Sequence, residues 1–147
     1  QAVEGDVEIV ARVATMVINT REPKAGIMLR ETLGDNAKHA SMLLGGLPGG
    51  ARLFSRKDTG GASSISKANT LKAPYWVKLV RRGNTFSGYL SEDGETWTQA
   101  GADLTITMPT KLFAGLAVSA GNRDGSRLHA SDFDHVMITQ KTGKKKQ

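Results

Sequence analysis

The chain has 147 residues, a length that suits one domain able to bury a hydrophobic core, and its 39% hydrophobic and 23% charged residues are ordinary for a globular protein. No apolar run approaches the roughly 18 residues that a membrane-spanning helix needs. Cysteine is absent, which excludes a disulfide-stapled fold, a zinc–thiolate site and a cysteine nucleophile.

The net charge of +6 is concentrated at the C-terminus. Four lysines lie within residues 141–147, so the rest of the chain is near +2. A short basic run at a chain end is typical of a solvated, disordered segment, although it also attracts nucleic acid or anionic lipid. We therefore expect a single domain over residues 1–140 followed by a basic disordered tail over residues 141–147, with no membrane insertion.

Short hydrophobic runs separated by Gly, Pro, Asn, Asp and Ser predict many short strands along the chain. In the first, residues 6–17, hydrophobic positions alternate with Glu8, Val10 and Arg12, which is the period of two of a half-buried strand. The next predicted strands cover residues 25–31, 39–44 and 51–57. In residues 25–31 the two faces are Ile27 with Leu29 and Met28 with Arg30. A glycine-rich turn is predicted at residues 45–50.

After a long polar loop at residues 58–70, residues 75–99 predict a three-stranded meander. The pairs Gly83-Asn84 and Asp93-Gly94 mark its two turns, because such pairs accept the positive φ that a tight hairpin needs. In this meander Trp76 is expected in the core, whereas Trp97 suits either a core position or an exposed rim.

Two further strands complete the pattern. Residues 112–119 are mostly apolar and predict a central strand. Residues 129–139 predict the last strand, and a bulge near His135 would turn Phe133, Val136 and Ile138 inwards. Some nine to eleven strands without a helical pattern predict an all-β fold, a two-sheet antiparallel β-sandwich or jelly roll.

Five segments in this order carry a resemblance to a known family: KAGIMLRET, KHASMLL, APYWVKLVRRGNTFSGYLSEDGETWTQ, LFAGLAVSAGNRDG and SDFDHVMI. Together they resemble the concanavalin A-like lectin and glucanase domains of bacterial multidomain exported proteins, over roughly residues 6–139. The resemblance implies a sandwich with one concave sheet that often carries a carbohydrate site. It also implies a secreted or cell-surface location and covalent linkage to other domains.

Arg30, His39, Arg56 and Trp97 are the candidate ligand-binding residues. A guanidinium on a sheet face grips carboxylates or hydroxyls with a rigid fork, and an indole ring stacks on sugar CH groups. His39, Arg56 and Arg12 would line the same face as Arg30 if their strands are neighbours. A salt-bridged surface without a ligand is the alternative interpretation of these residues.

Asp132 and Asp134 are the candidate metal ligands. Two residues apart in a regular strand, they would share a face and offer the hard oxygens that calcium prefers. Solvated carboxylates, or partners for nearby arginines, are the alternative.

No catalytic residue is assigned from the sequence. The E-x-D-x-x-E pattern of related glucanases is absent, and the three histidines lie in neither a G-x-S-x-G nor an H-x-x-x-H context. The basic residues are dispersed, so nucleic-acid binding is not expected. The sequence thus favours a non-catalytic carbohydrate-binding module that takes a polysaccharide. A sugar-active hydrolase or lyase, and a structural or protein-interaction sandwich, are the alternatives.

Overall fold

The fold is described from a computed structural model over residues 1–45, 50–66, 70–122 and 124–141. These residues form twelve strands: β1 (Ala2–Glu4), β2 (Asp6–Met16), β3 (Lys24–Arg30), β4 (His39–Gly45), β5 (Gly50–Arg56), β6 (Ser64–Ile65), β7 (Tyr75–Arg82), β8 (Thr85–Ser91), β9 (Thr98–Gln99), β10 (Leu104–Thr105), β11 (Lys111–Ser119) and β12 (Ser131–Lys141). None of the described residues forms a helix that is long and apolar enough to cross a membrane.

The strands form two antiparallel sheets. Sheet A has the order β1-β11-β3-β4-β5-β6. Sheet B has the order β10-β8-β7-β2-β12, and β9 pairs with β8 at its edge. The predicted all-β, two-sheet antiparallel sandwich is therefore confirmed.

The inner faces of the two sheets form one hydrophobic core, as alternation in the sequence predicts. On β2 the positions Val7, Ile9, Ala11 and Val13 are all buried, with at most 2% of their surface exposed. On sheet A the core positions include Ile27 and Leu29 of β3, Met42 and Leu44 of β4, and Leu53 of β5. Burying each such side chain contributes roughly 1.5 to 3 kcal/mol before the cost of ordering the chain is counted.

The long predicted strands all form, but three short ones have no strong sequence signal. One of them, β6, lies within the polar loop predicted at residues 58–70. β1 precedes the first predicted strand at residues 6–17, and β10 lies between the predicted meander and the strand predicted at residues 112–119. The predicted return strand at residues 96–100 is reduced to the two residues of β9. Most of the glycine-rich turn, residues 46–49, and most of the basic tail, residues 142–147, lie outside the described residues.

The last strand, β12, contains the bulge that its sequence predicts, but Val136 does not face the core as predicted. Asp134 pairs with Arg12 and Met137 with Val10, so His135 and Val136 together oppose the single residue between these partners. Phe133 and Ile138 pack against the core. The inward prediction for Val136 is wrong, because the bulge itself carries this residue outwards and leaves it 47% exposed.

Strand β11 is interior along only part of its length. Its first residues lie between β1 and β3, and the last contact on the β1 side is the pair of backbone bonds between Gln1 and Ala114. Beyond Ala114, this edge has no neighbouring strand among the described residues. Leu116 and Val118 are consequently about half exposed, so the prediction of a central strand holds only for the N-terminal half.

A buried guanidinium closes one end of the sandwich. Arg81 of β7 points inwards, with 3% of its surface exposed. Its guanidinium carbon lies 5.6 Å from the centroid of the Phe86 ring. It donates to the carbonyl oxygens of Gly83 at 2.7 Å, Met108 at 2.9 Å and Thr110 at 3.3 Å. Desolvation lowers the pKa of Arg81, and these carbonyls supply the partners that a buried cation requires.

Replacement of Arg81 by Met should lower the free energy of unfolding by about 2 to 3 kcal/mol, because it leaves buried carbonyl groups without a donor. Urea denaturation followed by circular dichroism measures the change. The matched control is Arg82→Met, since Arg82 is the exposed neighbour on the same strand. A loss for Arg81→Met no larger than that of the control would contradict the role given to this side chain.

Candidate functional site

The outer face of β3, β4 and β5 carries most of the predicted site. We call it the basic face, and its residues alternate with the core positions of the same strands. Cross-strand pairing places Arg30, His39 and Arg56 side by side in one row. The neighbouring row contains Met28, Ser41 and Phe54. Lys24 and Arg52 are the other basic residues of these strands, which contain no Asp or Glu.

The two arginines of the row also hold the loop between β3 and β4. Arg30 donates through Nε to the carbonyl oxygen of Thr32 at 2.7 Å and through Nη2 to that of Gly34. Arg56 donates through Nη1 to the carbonyl oxygens of Asp35 at 2.8 Å and Ala37 at 3.4 Å. The guanidinium groups are therefore fixed in position while part of their donor capacity stays unused.

His39 sits between the two guanidinium groups. Burial first, and then the charges of Arg56 and Arg30, together lower the pKa of its imidazole to about 4. Its Nδ1 lies 3.0 Å from the hydroxyl oxygen of Ser41. The ring is therefore neutral near pH 7, and the positive charge of the row comes from the arginines alone.

The structure brings together three of the four predicted ligand-binding residues. Trp97 lies apart from Arg30, His39 and Arg56, in the segment that borders sheet B. The expectation that Arg12 lines the same face is wrong, because Arg12 lies on β2 of sheet B beside Trp76. Periodicity assigns a side chain to a face of its own strand, but it does not tell which sheet that strand joins.

Trp97 belongs to a second candidate site, a shallow groove on the outer face of sheet B. We call it the tryptophan groove, and its lining includes Trp76, Lys78, Trp97, His135 and Glu8. The ammonium group of Lys78 lies 4.1 Å from the ring centroid of Trp97. The rings of Trp76 and His135 are 5.0 Å apart and tilted by 50°. Lys78 and His135 thus cover part of the indole surface.

The expectation of a core position for Trp76 is wrong. Tyr75 pairs with the buried Val13 and packs against the core, so the alternation of β7 turns Trp76 outwards. The pairing of β7 with β2 therefore decides which of these two neighbouring aromatic residues faces inwards.

A tight turn after β8 supports the groove. The carboxylate of Asp93 accepts bonds from the amides of Glu95 and Thr96, both at 2.8 Å, and from the Ser91 hydroxyl at 3.0 Å. These bonds, led by that from Thr96, lower the pKa of Asp93 to about 2. The turn presses Gly94 onto Trp76: a Cβ on Gly94 would lie 2.8 Å from Cε2 of the indole.

The predicted metal ligands do not form the expected pair. A register shift follows Asp132, so Asp132 pairs with Thr15 and Asp134 with Arg12, which face opposite sides of β2. Asp134 binds the guanidinium of Arg12 through both oxygens, and this interaction, together with a bond to His135, lowers its pKa. Within the described part of the chain, no group of three or more His, Cys, Asp or Glu residues could hold a metal ion. Calcium at Asp132 and Asp134 therefore stays a prediction without a formed ligand cluster behind it.

We expect His39 to titrate in the folded protein near pH 4, well below the value of about 6.5 for an unfolded chain. Between those pH values only the unfolded state takes up this proton. The free energy of unfolding is therefore not reduced by His39 above about pH 6.5, and it decreases as the pH falls towards 4. NMR titration of the ring protons measures the midpoint. Arg56→Gln should raise it, whereas Arg82→Gln on the other sheet should not. A midpoint near 6.5 in the unmodified protein would show that the ring is solvated.

Gly94→Ala should destabilise the protein more than Gly83→Ala does. Both glycines have positive φ, +80° and +57°, so either alanine incurs backbone strain of about 1 to 2 kcal/mol. Only at position 94 would the new Cβ also collide with Trp76, since nothing lies within 4 Å of a Cβ at Gly83. Overpacking adds roughly 1 to 3 kcal/mol. Thermal unfolding and tryptophan fluorescence measure the difference, and equal losses would contradict the contact.

Comparison with known proteins adds structural relatives but no family. No family model matches the chain, and no curated protein sequence matches it. A functionally unknown protein from Saccharomyces cerevisiae is similar in structure, with 18% identity and a TM-score of 0.75 over 97% of this chain and 74% of that one.

Two bacterial proteins are similar over about a quarter of their own length. The GH43 BlXynB protein from Bacillus licheniformis matches 90% of this chain and 27% of its own, with 16% identity and a TM-score of 0.70. A xylan beta-1,4-xylosidase from Bacillus halodurans C-125 matches 92% and 27%, with 14% identity and a TM-score of 0.63. At such low identity, these likenesses establish the sandwich fold of the chain.

Proposed function

We propose that the chain is a non-catalytic carbohydrate-binding module of a larger exported bacterial protein, and that the glycan lies across the basic face. The observation that carries this proposal is the row Arg30, His39 and Arg56, which three adjacent strands of sheet A place side by side. Guanidinium N–H groups are suited to sugar hydroxyls and carboxylates because their fork is planar and rigid.

The basic face is preorganised for binding. The Arg30 and Arg56 guanidinium groups are already fixed by loop carbonyls, so a ligand does not have to immobilise them. Fixing one long side chain otherwise costs about 0.5 to 1.5 kcal/mol of binding free energy. Met28 and Phe54, half-buried in the next row, provide apolar surface for the CH groups of a sugar ring. A face that extends over three adjacent strands favours an extended polymer over a small enclosed molecule.

The distribution of carboxylates argues against glycoside hydrolysis at this face. That reaction uses two carboxyl groups about 5 to 9.5 Å apart, and β3, β4 and β5 contain no Asp or Glu. In the tryptophan groove, Glu8 is the single carboxylate among the lining residues of the described chain. A hydrolase or lyase would therefore have to use carboxylates that lie outside both surfaces.

The structural likenesses support a modular role. The chain matches about a quarter of two larger bacterial proteins, one of which is a xylan beta-1,4-xylosidase. A module that binds weakly by itself gains avidity when it is linked to other domains that engage the same polymer. A purely structural sandwich is the second candidate, and it would bind no glycan at all.

The test is affinity electrophoresis of the purified domain in gels that contain plant and bacterial polysaccharides, with calcium and with a chelator. Retardation by at least one polymer is expected, and Arg30→Ala should weaken it about tenfold because a charged hydrogen-bond donor is lost. Arg82→Ala on sheet B is the matched control, and circular dichroism checks folding. Loss of binding in chelator would support the predicted calcium site.

Three other outcomes would contradict the proposal. Normal binding by a folded Arg30→Ala protein, together with loss in Trp97→Ala, would move the site to the tryptophan groove. Release of new reducing ends from a polymer would favour the enzyme. Absence of binding to every polymer would favour the structural sandwich.

A further inference from the structure

We infer that the glycan bound by the basic face is anionic, with carboxylate or sulfate groups repeated along its length. This inference rests on the proposed function and names the class of ligand for the same surface.

All charged side chains on the three central strands of sheet A have the same sign. Lys24, Arg30, Arg52 and Arg56 are cations on the outer face, and the strands that carry them contain no acidic residue. Strands lie about 4.8 Å apart and rise about 3.3 Å per residue, so the four cations span roughly 20 Å along the strands and 10 Å across them. That area suits several consecutive sugar residues.

The charge of the basic face is not cancelled by ion pairs. Across the described ranges of the chain, the arginine and lysine residues in ion pairs are Arg12, with Asp134, and Lys38, with Glu31. None of these involves a cation of the basic face. The partners of Arg30 and Arg56 are carbonyl oxygens, which accept hydrogen bonds without neutralising the charge. The uncancelled charges of Arg56 and Arg30 also contribute, after burial, to the lowered pKa of His39.

The apolar side chains between the cations favour sugar over nucleic acid. Proteins that bind single strands present several aromatic rings on which successive bases stack. On β3, β4 and β5 the sole aromatic residue is Phe54, and the Lys24 ammonium lies 6.0 Å from the centroid of its ring. Met28 is aliphatic and half-buried, whereas Leu43 is buried and adds little surface. These surfaces suit the CH face of a sugar ring better than a purine or pyrimidine.

The experiment compares each retained polyuronate, such as pectate, glucuronoxylan or hyaluronate, with the same polymer after reduction of its carboxyl groups to alcohols. The two differ in charge and share the backbone, so reduction should weaken binding at least tenfold. Affinity for the unreduced polymer should also fall steeply between about 50 mM and 200 mM salt, since exposed charges are screened over a shorter distance.

The double variant Lys24→Gln/Arg52→Gln tests whether the effect of charge on polymer binding arises at the basic face. It removes two charges from the basic face and keeps both arginines that hold the loop after β3. We expect about tenfold weaker binding and a flatter salt dependence. The matched control, Arg82→Gln/Lys141→Gln, removes two exposed charges from sheet B outside the tryptophan groove and should change little. In NMR spectra, the His39 midpoint should rise when polyuronate binds, because its carboxylates offset the field of Arg30 and Arg56.

Each contrary outcome has a distinct meaning. Equal binding of native and reduced polymer would overturn the anionic class and leave the carbohydrate-binding proposal intact. Equal weakening by both double variants would show attraction to net charge and overturn the assignment to this face. Binding of oligothymidylate as tight as that of a polyuronate with the same number of charges would overturn the choice of sugar. Failure of all polymers, charged or neutral, would remove the proposed function and this inference with it.

Discussion

Burial of every second side chain between the two sheets is the constraint on which the other features depend. The sheets approach closely where Gly88 of β8 faces β4 and β5: a Cβ there would lie 2.9 Å from Sδ of Met42 and 3.0 Å from Cδ1 of Leu53. A slip of one residue in any central strand would exchange its buried and exposed side chains. Because the inner positions are fixed in this way, the outward position of Arg30 and Arg56 follows without any further interaction.

The same arginines stabilise the fold and create the charge of the surface. Arg30 and Arg56 bond carbonyl oxygens of the loop between β3 and β4, so the loop depends on two groups that also face solvent. Arg81 uses the same chemistry in the interior, where its partners are carbonyls of the segment before β11. In both places a guanidinium joins irregular backbone to a regular strand, which a hydrophobic side chain does not achieve.

The sequence was most informative where a pattern is local. Alternation predicted the inward set of β2, and the Asp93-Gly94 pair predicted the turn that follows β8. The row of Arg30, His39 and Arg56 was predicted on condition that their three strands are neighbours. The condition is met because β3, β4 and β5 follow one another in the chain and pair in that order. The separation of Trp97 and Arg12 from that row depends on pairing between distant segments, as between β2 and β7, and alternation carries no information about it.

Irregular backbone accounts for the other errors. The position of Val136 was predicted by assuming a bulge near His135, and that of Asp132 by assuming a regular strand. Each register shift changes the face of the residues beside it. Trp76 and Tyr75 are both large and amphipathic, so composition did not distinguish which is buried. The pairing with β2 does, since Val13 faces the core opposite Tyr75.

The alternation of core and outward side chains on β4 limits how far the outer face of this strand can be changed. Ala40, Met42 and Leu44 pack the core, whereas His39 and Ser41 face outwards between β3 and β5. Ser41 is fully buried although it faces outwards, and His39 is partly buried between the two arginines, so a substitution at either position must still fit the side chains of β3 and β5. The chemistry of this outer face is therefore tied to the packing of its own side chains, as well as to the two arginines that hold the loop after β3.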